Sequence, residues 1–233
     1  HWRFSEGGKF QLQPRGALVY SDFCETHMVD DLAEQYDPLR TLWRSWDMGF
    51  VRPACVGFQI DKHGRKNVLF SMMGHNIQLT DFIDEVESYC NEILPKVVEK
   101  MDILPHDANR KYDVSPHSAL DIFDGKGLKA DTIYVKRDMS HAQVNEELKK
   151  FTKGEPMLRL DSKHCVLLAQ CLAGYTRHEQ TGQPRKDNYY EHISDAFKLG
   201  CFYVSRKLTE TDTELKEPRY FGLEFGGGSS RIL

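Results

Sequence analysis

The chain contains no Cys-x-x-Cys spacing among its six cysteines (24, 55, 90, 165, 171 and 201), and Cys165 and Cys171, on one predicted helix, form no zinc-site pattern. Most of the six sit within apolar stretches, where cysteine acts as a small hydrophobe; all six are expected reduced, as in a cytosolic protein. No apolar run approaches the roughly 20 residues that cross a bilayer. No Gly-x-x-x-x-Gly-Lys-Ser/Thr motif occurs, and Gly125-Lys126-Gly127 is too short to cradle phosphates, so no nucleotide site is expected. There is no internal repeat, and no low-complexity segment before the Gly226–Ser230 tail. An excess of positive charge is missing too: the net charge is -4, which argues mildly against a dedicated nucleic-acid binder. Basic residues do occur in short groups (Arg65-Lys66, Arg110-Lys111, Lys136-Arg137, Lys149-Lys150, Arg185-Lys186, Arg206-Lys207), each of which also reads as a solvated face. His1-Trp2-Arg3 offers neither a start Met nor a signal-peptide pattern, as expected of a fragment of a longer protein.

What is present suits one α/β domain of 233 residues. Residues 16–20 read as a short strand and 21–41 as an irregular connection turning at Asp37-Pro38. Leu42–Trp46, Pro53–Ile60 and Asn67–Met72 read as an antiparallel meander, with a hairpin turn around Gly64. Leu79, Phe82, Ile83, Val86, Tyr89, Cys90, Ile93 and Leu94 recur at helical spacing up to Pro95. Strands then alternate with helices: a strand at 101–104, a helix from Ser115-Pro116 to Phe123, and a strand at 131–135. Helices at about 140–152 and 163–174 flank a strand at 156–160. A polar loop, 177–188, precedes a last helix at about 190–207. The expected fold is a mixed sheet covered by helices on both faces.

Three acidic stretches stand out. Trp46-Asp47-Met48-Gly49 and Pro105-His106-Asp107-Ala108 each follow a predicted strand; His192-Ile193-Ser194-Asp195-Ala196 opens the last helix. A carboxylate at the end of a buried strand is costly unless a cation compensates it. Three converging carboxylates would suit hard divalent cations, which prefer oxygen ligands: the chemistry of a metal-dependent phosphodiesterase. Each also has a structural reading. Asp107 would cap a turn, Asp195 would favour a helix N-terminus, and Asp47 would accept backbone hydrogen bonds. His192, three residues before Asp195, would sit near the scissile phosphate, orient Asp195, or make a structural hydrogen bond. Lys186 would touch DNA or be solvated. His106 is expected to point away from Asp107, because strand residues alternate. Asp161 is expected to cap the helix from Lys163, and Trp43 and Trp46 to be core residues.

The order of elements resembles the ribonuclease H-like nuclease fold. More specifically, Gly16-Ala-Leu-Val-Tyr20, Trp46-Asp-Met-Gly-Phe50, His106-Asp-Ala-Asn109, Leu158-Arg-Leu-Asp161 and Lys186-Asp-Asn-Tyr-Tyr-Glu-His-Ile-Ser-Asp-Ala196 are similar to the nuclease domain of viral large terminase subunits, from about residue 14 to 205. The resemblance implies a residue 16–207 nuclease domain, preceded by a 1–15 linker from a missing ATPase domain and followed by a flexible 208–233 tail. It implies a DNA endonuclease that cuts concatemeric double-stranded DNA by two-metal-ion hydrolysis. Asp47, Asp107 and Asp195 would hold two Mg²⁺ or Mn²⁺, with His192 and Lys186 in support. The portal protein and small terminase subunit would be partners, in the host-cell cytoplasm at the procapsid portal, with no membrane. The chain departs from the family in having no acidic residue at Val51-Arg52-Pro53 and only one Asp in the final motif. Two alternatives stand: another ribonuclease H-like enzyme, such as a resolvase or transposase core, and a catalytically silent docking module.

Overall fold

The structure, a computed structural model, describes residues 17–111, 117–135, 137–186 and 189–216, with two short strands near the N-terminus. Those strands, β1 (Arg3–Phe4) and β2 (Phe10–Gln11), pair antiparallel within the segment read as a linker. The rest of the chain builds β3 (Met28–Val29), β4 (Leu42–Asp47), β5 (Ala54–Ile60), β6 (Lys66–Met73), α1 (Leu79–Ile93), β7 (Lys100–Pro105), α2 (Ala119–Gly125) and β8 (Ala130–Ile133). Then come α3 (Arg137–Leu148), a small hairpin of β9 (Phe151–Thr152) and β10 (Glu155–Pro156), β11 (Leu158–Asp161), α4 (Val166–Gly174) and α5 (Tyr190–Lys216).

Seven strands form one sheet in the order β3-β11-β6-β5-β4-β7-β8. β4, β5 and β6 run antiparallel as expected, and the other pairs in the sheet are parallel. This is a mixed sheet that starts with an antiparallel meander, as the sequence predicts. The turn joining β5 to β6 is held by Asp61, whose Oδ1 accepts the backbone N–H of His63 and Arg65, while Gly64 supplies a φ of +76°.

Alternation along β4 decides which side chains reach which layer. Leu42 and Trp46 pack with Phe82, Ile83, Val86 and Phe123 in the layer under α1 and α2. Ser45 faces the other way and donates its hydroxyl to the Ala196 carbonyl of α5 (2.6 Å). Asp47, two residues on, shares that face. Helix α5 lies across β4 and β5 with Ile193, Ala196, Phe197, Cys201 and Val204 buried. Gly200 permits the approach, because a Cβ there would stand 2.2 Å from the Phe58 ring and 2.9 Å from Ser45 Cβ. Phe58 is itself stacked on Phe197 (5.9 Å between centroids), so it has nowhere to retreat. Gly200→Ala should therefore cost about 1–3 kcal/mol, or ~2–4 °C of melting temperature per kcal/mol. A wild-type melting curve would refute this packing.

Several boundaries differ from expectation. Residues 17–20 add no strand to the sheet; Leu18 makes an isolated bridge to Thr176, and the edge is β3, inside the stretch read as irregular. Two-residue strands carry too little pattern to be read. The expected helix start at Ser115-Pro116 lies outside the described residues; α2 is capped by Ser118, whose Oγ accepts the Asp121 N–H while Asp121 accepts the Ser118 N–H. Helix α5 continues to Lys216 instead of ending at 207. The loop before it folds back on itself through an Arg177–Pro184 bridge. Asp161 caps a turn ahead of α4, accepting from Lys163 and His164 N–H, and its second oxygen accepts from Ala33. Five cysteines are buried and Cys24 is exposed, all free. Among the described residues no helix is long and apolar enough to cross a membrane.

Candidate active site

Three elements far apart in sequence end around one pocket of about 270 Å³: the end of β4, the turn after β7, and the first turns of α5. They bring Asp47, Asp107 and Asp195 to its lining, with Lys198 beside them. The geometry follows from the sheet. β4 and β7 are parallel neighbours, so their C-terminal ends open on the same edge. α5 crosses those strands and carries Asp195 over that edge.

The three carboxylates differ in their surroundings. Asp47 Oδ2 lies 2.7 Å from His192 Nδ1. Burial pushes the Asp47 carboxyl above its ordinary range; the His192 hydrogen bond pulls it down and the Asp195 charge pushes it up again. The same hydrogen bond raises His192, against its partial burial. Asp195 is about half exposed, and its Oδ1 is 2.5 Å from Lys198 Nζ. Asp107 has no side-chain hydrogen bond or ion pair among the described residues; its backbone carbonyl accepts the Arg110 N–H (2.9 Å).

His192 thus turns to Asp47 on the sheet, not to Asp195 on its own helix. His106 lines the same pocket as Asp107 and packs edge-on against Tyr134 (4.8 Å). Strand alternation does not separate the two, because β7 ends at Pro105 and both lie in the following turn. Lys186 is exposed in the loop and is not part of the pocket lining. Gly49 is no forced glycine: a Cβ there would meet His192 at an ordinary 3.6 Å. The basic groups read as possible contact faces are largely neutralised within the chain. Arg65 pairs with Asp61 and Glu155, buried Lys66 with Glu147, Lys149 with Glu146, Lys150 with Glu147, and Arg185 with Glu179.

Among the described residues no three His, Cys, Asp or Glu side chains are close enough together to hold a metal ion in this arrangement. The chemistry of the donors nevertheless fits hard divalent cations. Three carboxylates, each with at least one oxygen not engaged by a protein cation, face one space. Two of them are also paired within the protein, Asp47 with His192 and Asp195 with Lys198.

No protein-family model matches the chain, and no curated protein does. Among solved structures it is similar to the fowlpox virus Holliday junction resolvase, at 16% identity and a TM-score of 0.36, over 71% of this chain and 99% of the resolvase. It is similar to the HK97 bacteriophage large terminase at 9% identity and a TM-score of 0.45, over 72% of this chain and 39% of the terminase. It is similar to Thermus thermophilus RuvC at 11% identity and a TM-score of 0.32, over 72% of this chain and 97% of RuvC.

Sequence reasoning missed Lys198 and the buried group behind it. The only signal was its spacing from Asp195, three residues along one helix, which places two side chains on one face.

Proposed function

We propose that the chain is a metal-dependent DNA endonuclease of the terminase large-subunit type. The observation that carries this reading is the meeting of Asp47, Asp107 and Asp195, from β4, the turn after β7, and α5, at one pocket. Aspartates gathered this way repel one another and are held partly by burial-raised pKa values, as at Asp47. Cations bound between them relieve that repulsion.

Asp47, Asp107 and Asp195 would hold two Mg²⁺ or Mn²⁺ ions between them. Such ions lower the pKa of an attacking water and neutralise the charge on the leaving 3′ oxygen. The chain's own part is to hold and orient. His192 fixes one Asp47 oxygen. The rigid sheet sets the spacing of Asp47 and Asp107, while α5 sets the height of Asp195. Water adds to phosphorus, the P–O3′ bond breaks, and the proton lost by the water reaches the leaving oxygen through solvent. The net charge is -4 and several of the basic groups are paired within the chain, so binding is weak, directed at phosphates and salt-sensitive. In the full protein an ATPase domain, the portal and the small terminase subunit would hold concatemeric DNA in place at the procapsid, in the host cytoplasm.

The test is nicking of supercoiled plasmid by the purified chain at low salt. Cleavage should vanish in EDTA, return with Mn²⁺ or Mg²⁺, and remain poor with Ca²⁺, whose looser coordination does not suit two closely spaced ions. Cleavage that survives exhaustive chelation would remove metals from the mechanism. Strong preference for four-way junctions over plasmid would favour the resolvase reading instead.

A further inference from the structure

Lys198 lines the pocket although it is only 7% exposed. Lysines are almost never buried without partners. Its Nζ has two: Asp195 Oδ1 at 2.5 Å and His141 Nε2 at 3.3 Å. An ammonium only donates, so His141 accepts at Nε2. Burial, then the charges of Lys198 and Arg177, push the His141 pKa down to about 3, which leaves the ring neutral. Its proton then sits on Nδ1, 3.2 Å from Tyr20 Oη, and that hydroxyl lies 2.5 Å from Ser194 Oγ on α5. The chain of contacts returns to the residue next to Asp195.

This backing is uncharged. A second carboxylate behind Lys198 would cancel its charge; a neutral imidazole positions the ammonium and leaves its charge free for the pocket. Asp195 is the only carboxylate paired with it among the described residues, and a cation bound by Asp195 competes for the same oxygens.

We propose that Lys198 is a catalytic residue whose ammonium binds a non-bridging oxygen of the scissile phosphate, its bond to Asp195 yielding when that carboxylate takes a divalent cation. The assignment rests on the reading of the pocket as a phosphodiester-cleaving site. Lys198 and Asp195 share a helix face, so the exchange needs only rotation at the end of a flexible stem. A fixed cation on a transferring phosphoryl group acts where charge develops. The His141–Tyr20–Ser194 chain is the positioning device.

The experiment compares wild type, Lys198→Met and Lys198→Arg in plasmid nicking across a Mn²⁺ titration, with melting curves for each. Lys198→Met should lower kcat about 10²-fold, as when one oriented contact to the transition state is lost. Its half-saturating Mn²⁺ concentration should fall several-fold, because Asp195 no longer has a competing partner. Lys198→Arg should retain more kcat than the Met variant. A Lys198→Met enzyme with wild-type kcat, or one whose Mn²⁺ requirement rises, overturns the proposal; the latter would limit Lys198 to holding Asp195. Should Lys198→Met not fold, the pair His141→Gln and His141→Glu carries the test. Gln keeps a neutral acceptor and should retain more kcat than Glu, which neutralises the ammonium; equal kcat in the two variants overturns the proposal. A wild-type chain inert in Mn²⁺ overturns the nuclease reading and this assignment together, while an active wild type with an unchanged Lys198→Met overturns this assignment alone.

Discussion

Asp47→Asn should abolish plasmid nicking in Mn²⁺, a loss beyond the ~10²–10³-fold that removing one oriented transition-state contact costs. An amide is a poor ligand for a hard cation, and in the proposed mechanism Asp47 is one of the carboxylates that hold the ions. The fold should survive, because the Asn oxygen still accepts from His192 Nδ1, 2.7 Å away in the wild type. Stability should move in the opposite direction to activity. Burial raises the Asp47 pKa, His192 opposes this and Asp195 adds to it, with a net upward shift. A carboxyl whose pKa is higher folded than unfolded penalises the fold once pH exceeds that raised value; the penalty disappears below the ordinary carboxylate range. Asn removes it, so without divalent ions the variant should melt at or above the wild-type temperature at neutral pH. Added Mn²⁺ should raise the melting temperature of the wild type only. Near-wild-type nicking by Asp47→Asn would take Asp47 out of the site.

Arg44→Met should produce the largest loss of stability. Arg44 is fully buried on the α1 side of β4. Its Nε and Nη2 donate to the two Asp102 oxygens at 2.8 and 2.6 Å, and its Nη1 pairs with Glu87. Trp46 Nε1 donates to Asp102 as well (2.6 Å). Burial pulls the Arg44 pKa down, but Asp102 and Glu87 outweigh it and raise it, so the charge is kept. Removing the guanidinium strands Asp102 in an apolar layer, at a cost of about 3–5 kcal/mol. At ~2–4 °C per kcal/mol in a domain of this size, the melting temperature should fall by roughly 6–20 °C. The double variant Arg44→Met, Asp102→Leu should recover much of the loss, since well-packed apolar pairs replace buried ion pairs at little cost. A double variant as unstable as the single one would mean that the pair contributes more than mutual compensation.

The positions of Asp47 and Asp107 were legible because each follows a run read as a strand: Leu42–Trp46 and the apolar run into Pro105. Asp195 was legible because the apolar spacing of Ile193, Ala196, Phe197 and Val204 marks a helix with one buried face. The partners of these carboxylates were not legible. His192 shares a helix with Asp195, yet its ring reaches across to Asp47, a choice made by tertiary packing. Lys198 reads as one more surface lysine until His141 and Tyr20, distant in sequence, are brought behind it. Arg44 and Asp102 are polar positions in strands that carry no signal of their own; only the β4–β7 register, which sets Arg44 beside Asp102, makes them a buried pair.

The seating of α5 over the sheet also governs when the pocket exists. A chain leaves the ribosome N-terminus first, so Asp47 and Asp107 are in place well before residue 195 is made. The notch at Gly200 must then receive Phe58 and Ser45 before Asp195 reaches its neighbours. A nascent or truncated chain that has the whole central sheet therefore has two of the three carboxylates and no Lys198. The protein under synthesis carries an incomplete pocket, and assembly is decided by the last helix to dock.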